Sequence, residues 1–216
     1  LERHVLTDRE QPVLLAMDEI DRLQFTGFHA EFFGLMRSWH NRRASHVLWN
    51  NFSLLMAIST EPYLLIDDLS QSPFNVGQVL HLKDFDPLQL ADLNGRYGSP
   101  AKPDELPHLA SLLNGHPYLT RVALYTMVVE KLAWSDLEKM ATSDQGPFHQ
   151  HLQLQYRLIL RDEKLRDAFR EIVRTNRCTS EGAGFRLMKA GLVTRLDNGG
   201  YACRCDLYRR YFAEVL

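Results

Sequence analysis

Asp18 and Glu19 stand side by side at the end of a continuous apolar run, Val13 to Met17, with Asp21 two residues further on. A hydrophobic stretch closed by Asp-Glu matches the Walker B pattern, in which the Asp holds the water shell of a Mg²⁺ ion and the Glu takes a proton from an attacking water. The run is of strand length and apolar at every position, which predicts a central parallel strand buried on both faces. Acids at the carboxyl end of such a strand lie on the edge where α/β proteins bind their ligands. A strand that simply ends in a solvated acidic turn would carry the same residues, so the rest of the chain has to decide between the two.

The elements around the acids follow an α/β alternation. Apolar residues at 28, 32, 33, 35, 36 and 39 predict a helix with a broad buried face, ending near Arg42 and Arg43. The run "FSLLMAIST", 52–60, predicts a second strand ending in Ser59 and Thr60, and a third short strand is expected at Val79 to Leu82. Asp86 as N-cap with Pro87 at the first helical position opens another helix. Strands alternating with helices in this way predict a parallel sheet.

From Asp104 onward the pattern is helical. Two helices meet at Asn114-Gly115-His116-Pro117, where Gly closes one and Pro opens the next. Ser135 and Glu138 have the spacing of a capping box, and two further amphipathic segments follow before residue 176. Residues 184–190 read as a short helix, "GLVTR" as a strand, "DNGG" as a hairpin turn and "YACRC" as the returning strand. Helices followed by a hairpin suggest a winged helix.

Composition bounds the function classes. With 216 residues of which 45% are hydrophobic, the chain can bury a real core. No apolar run approaches 18 residues and no basic-then-apolar leader is visible, so neither a membrane span nor a secretory signal is expected, and the location expected is cytoplasmic. Cys178, Cys203 and Cys205 form no zinc-type pair of pairs and read as reduced thiols. His149 and His151 flank one residue and would diverge on a helix, which argues against a shared metal. No Ser-His-Asp or Cys-His arrangement is readable from the spacing. The first residues, "LERHVL", already look like the last turns of a helix, as in a piece of a longer protein. Lys and Arg number 13 against 19 Asp and Glu up to residue 160, and 12 against 8 beyond it, so the tail is a basic module on an acidic body.

Taken together, "VLLAMDEIDRL", "LLMAIST", "SPFNVGQVLHLKDF", "NGHPYLTRVALY" and "GLV…YACRCDLYRRYF" resemble, in order, the AAA-like P-loop ATPases of bacterial signalling proteins, related to the STAND class of nucleotide switches. The resemblance implies a partial parallel P-loop NTPase sheet followed by an all-α lid and a C-terminal winged-helix-like domain. It divides the chain into a core half at 1–100, a lid at 101–160 and the winged-helix-like part at 161–216. It makes Asp18 and Glu19 the catalytic acids, with Asp18 reaching Mg²⁺ through water, and places Ser59 and Thr60 on the sensor strand near the γ-phosphate. Gly115, His116 and Pro117 become the lid motif that approaches ATP. Arg42 and Arg43 fall where an arginine could read the γ-phosphate across a boundary, although exposed arginine pairs also serve as plain surface charge.

The chain departs from that family in two respects: no GxxxxGK[ST] occurs, since no glycine is followed by Lys, and the family's central first strand is missing too, which is expected to leave a gap in the sheet with apolar faces and backbone groups exposed. The phosphate cradle is therefore expected upstream in the native chain, and this segment alone is expected to be inactive although the complete protein would be an ATPase. The function implied is a nucleotide-dependent switch that hydrolyses ATP slowly and relays a conformational change through lid and winged helix to an effector domain or a homo-oligomer interface. Two other readings compete. The basic tail could bind DNA through Arg186, Lys189, Arg195 and Arg204, and a chain without a P-loop could serve as a scaffold.

Overall fold

The computed structural model describes residues 1–7, 11–58 and 72–216, which divide into two compact units, Leu1–His81 and Leu82–Leu216. Among the described residues the architecture is mixed α/β, mostly helical, with a small parallel sheet in the first unit.

That sheet pairs β1 (Val13–Met17) with β2 (Phe52–Met56) in parallel, Val13 opposite Phe52 and Met17 opposite Met56. The connection between them is α1 (His29–Arg42), as a parallel pair requires. Side chains alternate across the pleat. One set, including Leu15, Met17, Leu54 and Met56, packs with Phe33 and Met36 of α1 and with Trp39, Trp49 and Phe52. The aromatic corner is tight: the Trp49 ring meets Phe52 edge-on at 5.7 Å and stacks on Trp39 at 6.1 Å. The other set is open, with Leu14 at 61% and Leu55 at 53% exposure. The all-apolar run thus forms the strand the sequence predicts, but only one of its faces is covered among the described residues. The expected strand at Val79 to Leu82 does not form: no described segment pairs with it, and without a ladder its backbone stays irregular and Leu82 stands fully in solvent.

The second unit begins with α2 (Pro87–Arg96), whose Asp86 cap accepts from the Gln89 amide while the Gln89 side chain accepts from the Asp86 amide. Then follow α3 (Leu106–Leu113), α4 (Pro117–Val129), α5 (Trp134–Lys139), α6 (His149–Leu160), α7 (Glu163–Thr175) and α8 (Glu181–Lys189). The capping box expected at Ser135 is absent: α5 starts at Trp134, so Ser135 lies inside the first turn, and no side chain caps the helix. Trp134 and Leu137, both buried, anchor α5 instead. The hairpin forms as read, with β3 (Val193–Arg195) antiparallel to β4 (Tyr201–Cys203), and a last helix, α9 (Asp206–Val215), follows it. Leu207, Tyr208, Tyr211 and Phe212 of α9 are all buried in a core that also holds Leu109 and Leu112 of α3, Leu152 of α6 and Phe169 of α7. Phe169 and Phe212 meet at 4.7 Å in an edge-on pair near the middle of this core.

Candidate functional site

In the first unit the acids sit where β1 leaves the sheet. The Ala57 amide donates to the Met17 carbonyl at 2.9 Å, and the Ile20 amide donates back to the Ala57 carbonyl at 3.3 Å. The chain leaving β2 is therefore held against the turn that carries Asp18 and Glu19. Ser59 and Thr60, the expected sensor residues, lie outside the described residues. Glu19 adopts φ +51°, a left-handed conformation uncommon for a side chain with a Cβ. Its amide donates to Asp18 Oδ1 at 2.8 Å, and its carboxylate pairs with Arg22 at 3.0 Å on the exposed surface. Both acids are exposed, whereas Asp21 is buried.

This arrangement fits a magnesium ion held through water. A single carboxylate presented at a strand end, with one oxygen committed to a backbone amide and the other open, suits a hard cation that keeps most of its water shell. The Glu19–Arg22 ion pair is an exposed one, so it contributes little and does not lock the carboxylate in place.

Arg42 and Arg43 end α1 but face different surroundings. The Arg42 guanidinium donates to Glu2 Oε2 at 2.7 Å and lies over the Trp49 ring at 5.5 Å, while Trp49 Nε1 donates to the same carboxylate oxygen at 3.1 Å. The Trp49 hydrogen bond, with the charge and hydrogen bond of Arg42 beside it, holds the Glu2 carboxyl below its ordinary range. Arg43 lines a cavity of about 280 Å³ floored by Met36, Trp39, Leu54 and Met56.

In the second unit the Gly115-His116-Pro117 turn joins α3 to α4. Asn114 and Gly115 both have positive φ, and a Cβ on Gly115 would stand 2.1 Å from the Phe85 carbonyl oxygen, so only glycine fits. The His116 ring lies 6.0 Å from His151 and 6.4 Å from Tyr208. His151 Nε2 is 2.7 Å from the Tyr208 hydroxyl, and the Tyr118 ring lies 5.2 Å from the His151 ring. Burial, reinforced by the positive charge of Arg204, lowers His116 to about 4 and lowers His151 as well, so both imidazoles are neutral. His149, two residues before His151, turns instead to Asp144 at 3.3 Å. Burial also pushes the Cys203 thiol up to about 11 and Cys205 to about 12, which makes them packing groups and not nucleophiles.

The cations considered for DNA have partners within the chain. Arg186 pairs with Asp162 at 2.8 Å, Arg195 with Glu181 at 3.0 Å and Arg204 with Asp84 at 2.5 Å, and Lys189 lies over the Phe185 ring. Asp84, Arg204, His151 and Tyr208 are the residues around His116 that spacing did not reveal. They come from three separate stretches of sequence, Asp84, His151 and the pair Arg204 and Tyr208, and no local pattern links the three.

A solved Walker-type ATPase of Pyrococcus abyssi superposes with a TM-score of 0.60 at 17% identity, covering 93% of this chain and 63% of that one, a likeness of fold. An uncharacterized WD repeat-containing protein of Synechocystis sp. is 29% identical over 136 residues, 60% of this chain but 11% of the relative's length. The chain thus spans less than two thirds of each protein it matches. Among the described residues no helix is long and apolar enough to cross a membrane. A family model described as an AAA-like domain matches residues 1–214, and the chain accordingly belongs to the AAA-like domain family.

Proposed function

We propose that this chain is the part of an ATP-dependent switch that carries the Walker B acids, a helical lid and a winged-helix-like tail. The observation that carries the reading is the position of Asp18 and Glu19: adjacent acids at the carboxyl end of a parallel strand, beside the end of its parallel neighbour, in a chain of the AAA-like family. Mg²⁺, when bound with ATP, supplies positive charge to the phosphates. Asp18 would hold a water of its shell, and Glu19 would take the proton of the attacking water. Ser59 and Thr60 would line the γ-phosphate, Arg42 or Arg43 would read it across a boundary, and the Gly115-His116-Pro117 turn would close on the nucleotide.

The phosphate cradle, absent from these 216 residues, would come from a further segment of the native chain. The open face bearing Leu14 and Leu55 supports this, because an apolar sheet face of that kind needs a cover. The long Synechocystis relative supports a switch joined to an effector. The internal pairing of Arg186, Arg195 and Arg204 weighs against DNA as the partner. The test is equilibrium binding of ATP with Mg²⁺ to the native full-length protein and to the 216-residue chain. Binding by the first and little by the second supports the reading; no binding by the full-length protein refutes it and leaves the scaffold.

A further inference from the structure

Two charged residues 120 positions apart meet beside the Gly115-His116-Pro117 turn. The Arg204 guanidinium donates through two nitrogens to the Asp84 carboxylate, at 2.5 and 3.3 Å, and each side chain is only 26% exposed. Forked, partly shielded pairs of this kind fix geometry as well as charge.

Each partner is itself anchored. Arg204 lies on the link between β4 and α9, where its amide donates to the Leu192 carbonyl at 2.9 Å. Gly191 packs beside its guanidinium so closely that a Cβ there would come within 3.0 Å. Asp84 lies on the segment that leads into α2, and the amide of the next residue, Phe85, donates to the Gly115 carbonyl at 2.8 Å. That segment is therefore held by the hairpin link on one side and by the turn on the other.

The geometry points to Asp84 and Arg204 as a positioning pair for the Gly115-His116-Pro117 turn: the pair fixes the incoming segment against the hairpin link, and Phe85 passes the constraint to Gly115. Its consequence for nucleotide rests on the ATPase reading, in which this turn closes on ATP. Neither residue is assigned a contact with the nucleotide.

The test uses the full-length protein and four variants: Asp84→Asn, Arg204→Gln, Arg204→Lys, and the reversed pair Asp84→Arg with Arg204→Asp. Two quantities are read, the hydrogen-exchange protection of the Phe85 amide and the affinity for ATP with Mg²⁺. Each neutralising substitution is expected to lower both by about tenfold, Arg204→Lys by less because it keeps the charge but not the fork, and the reversed pair is expected to recover most of the loss. Unchanged Phe85 protection in the neutralising variants overturns the pairing role, even where ATP still binds. Lost protection that the reversed pair does not recover overturns it too, by reducing the effect to general loosening. If the unsubstituted protein binds no ATP, the ATPase reading fails, and Phe85 protection still decides the role of the pair.

Discussion

The amide of Glu19 donates to Oδ1 of Asp18 at 2.8 Å while Glu19 itself is held at φ +51°. The same tight turn that sets one oxygen of Asp18 ends β1 and leads into the turn where the Glu19 carboxylate meets Arg22. A side chain with a Cβ in this conformation costs about 1 kcal/mol relative to glycine. Strain kept at a strand end that carries two acids is the pattern expected where function and stability conflict.

Glu19→Gly should therefore raise the stability of the chain by about 1 kcal/mol, read as a higher denaturant midpoint with an unchanged slope. The same substitution should abolish turnover in the full-length protein, because the proposed base is gone.

Gly115→Ala acts in the opposite direction. The new methyl group would collide with the Phe85 carbonyl, and the backbone at φ +67° disfavours any side chain. A loss of about 2–3 kcal/mol is expected, with the Phe85 amide among the first to lose exchange protection.

Phe212→Ala tests whether α9 belongs to the core of the helical unit. The ring is fully buried and meets Phe169 at 4.7 Å. Removal should cost about 3–5 kcal/mol and unfold α8, the hairpin and α9 together. A loss below about 1 kcal/mol, the range of exposed sites, would contradict the packing described.

Acid should weaken the helical unit through His116. Its folded value of about 4 lies below the ordinary 6.5, so the unfolded chain binds the proton more readily. Above pH 6.5 the group contributes no pH dependence; as pH falls from 6.5 toward 4, stability is lost at up to about 1.4 kcal/mol per pH unit. His151 shifts in the same direction and adds to the loss. In His116→Gln the slope across this window should be shallower than in the unsubstituted chain, as measured by denaturant titration at successive pH values.

Local signals were the readable ones. Asp86-Pro87 and Gly115-His116-Pro117 announce a helix start and a helix break within four residues, and both stand where the sequence put them. Val13 to Met17 announces a strand, but whether both faces are covered depends on what packs there, which no property of the run itself encodes. Val79 to Leu82 has strand residues and no described partner, so propensity alone did not suffice. Ser135 and Glu138 have the right spacing, yet Trp134 and Leu137 set the start of α5 by burial. The surroundings of His116 were illegible for a different reason: Asp84, His151, Arg204 and Tyr208 converge only through the packing of α6 and α9 and the fold of the hairpin.

The most direct measurement is ATP hydrolysis by the native full-length protein with Mg²⁺, compared with its Glu19→Gln variant after ATP binding has been verified for both. Equal binding is expected, with a loss of turnover of at least about a hundredfold in the variant, the scale of a general-base contribution. Turnover by Glu19→Gln at the unsubstituted rate would contradict it, because the acid at the end of β1 would then have no part in the chemistry.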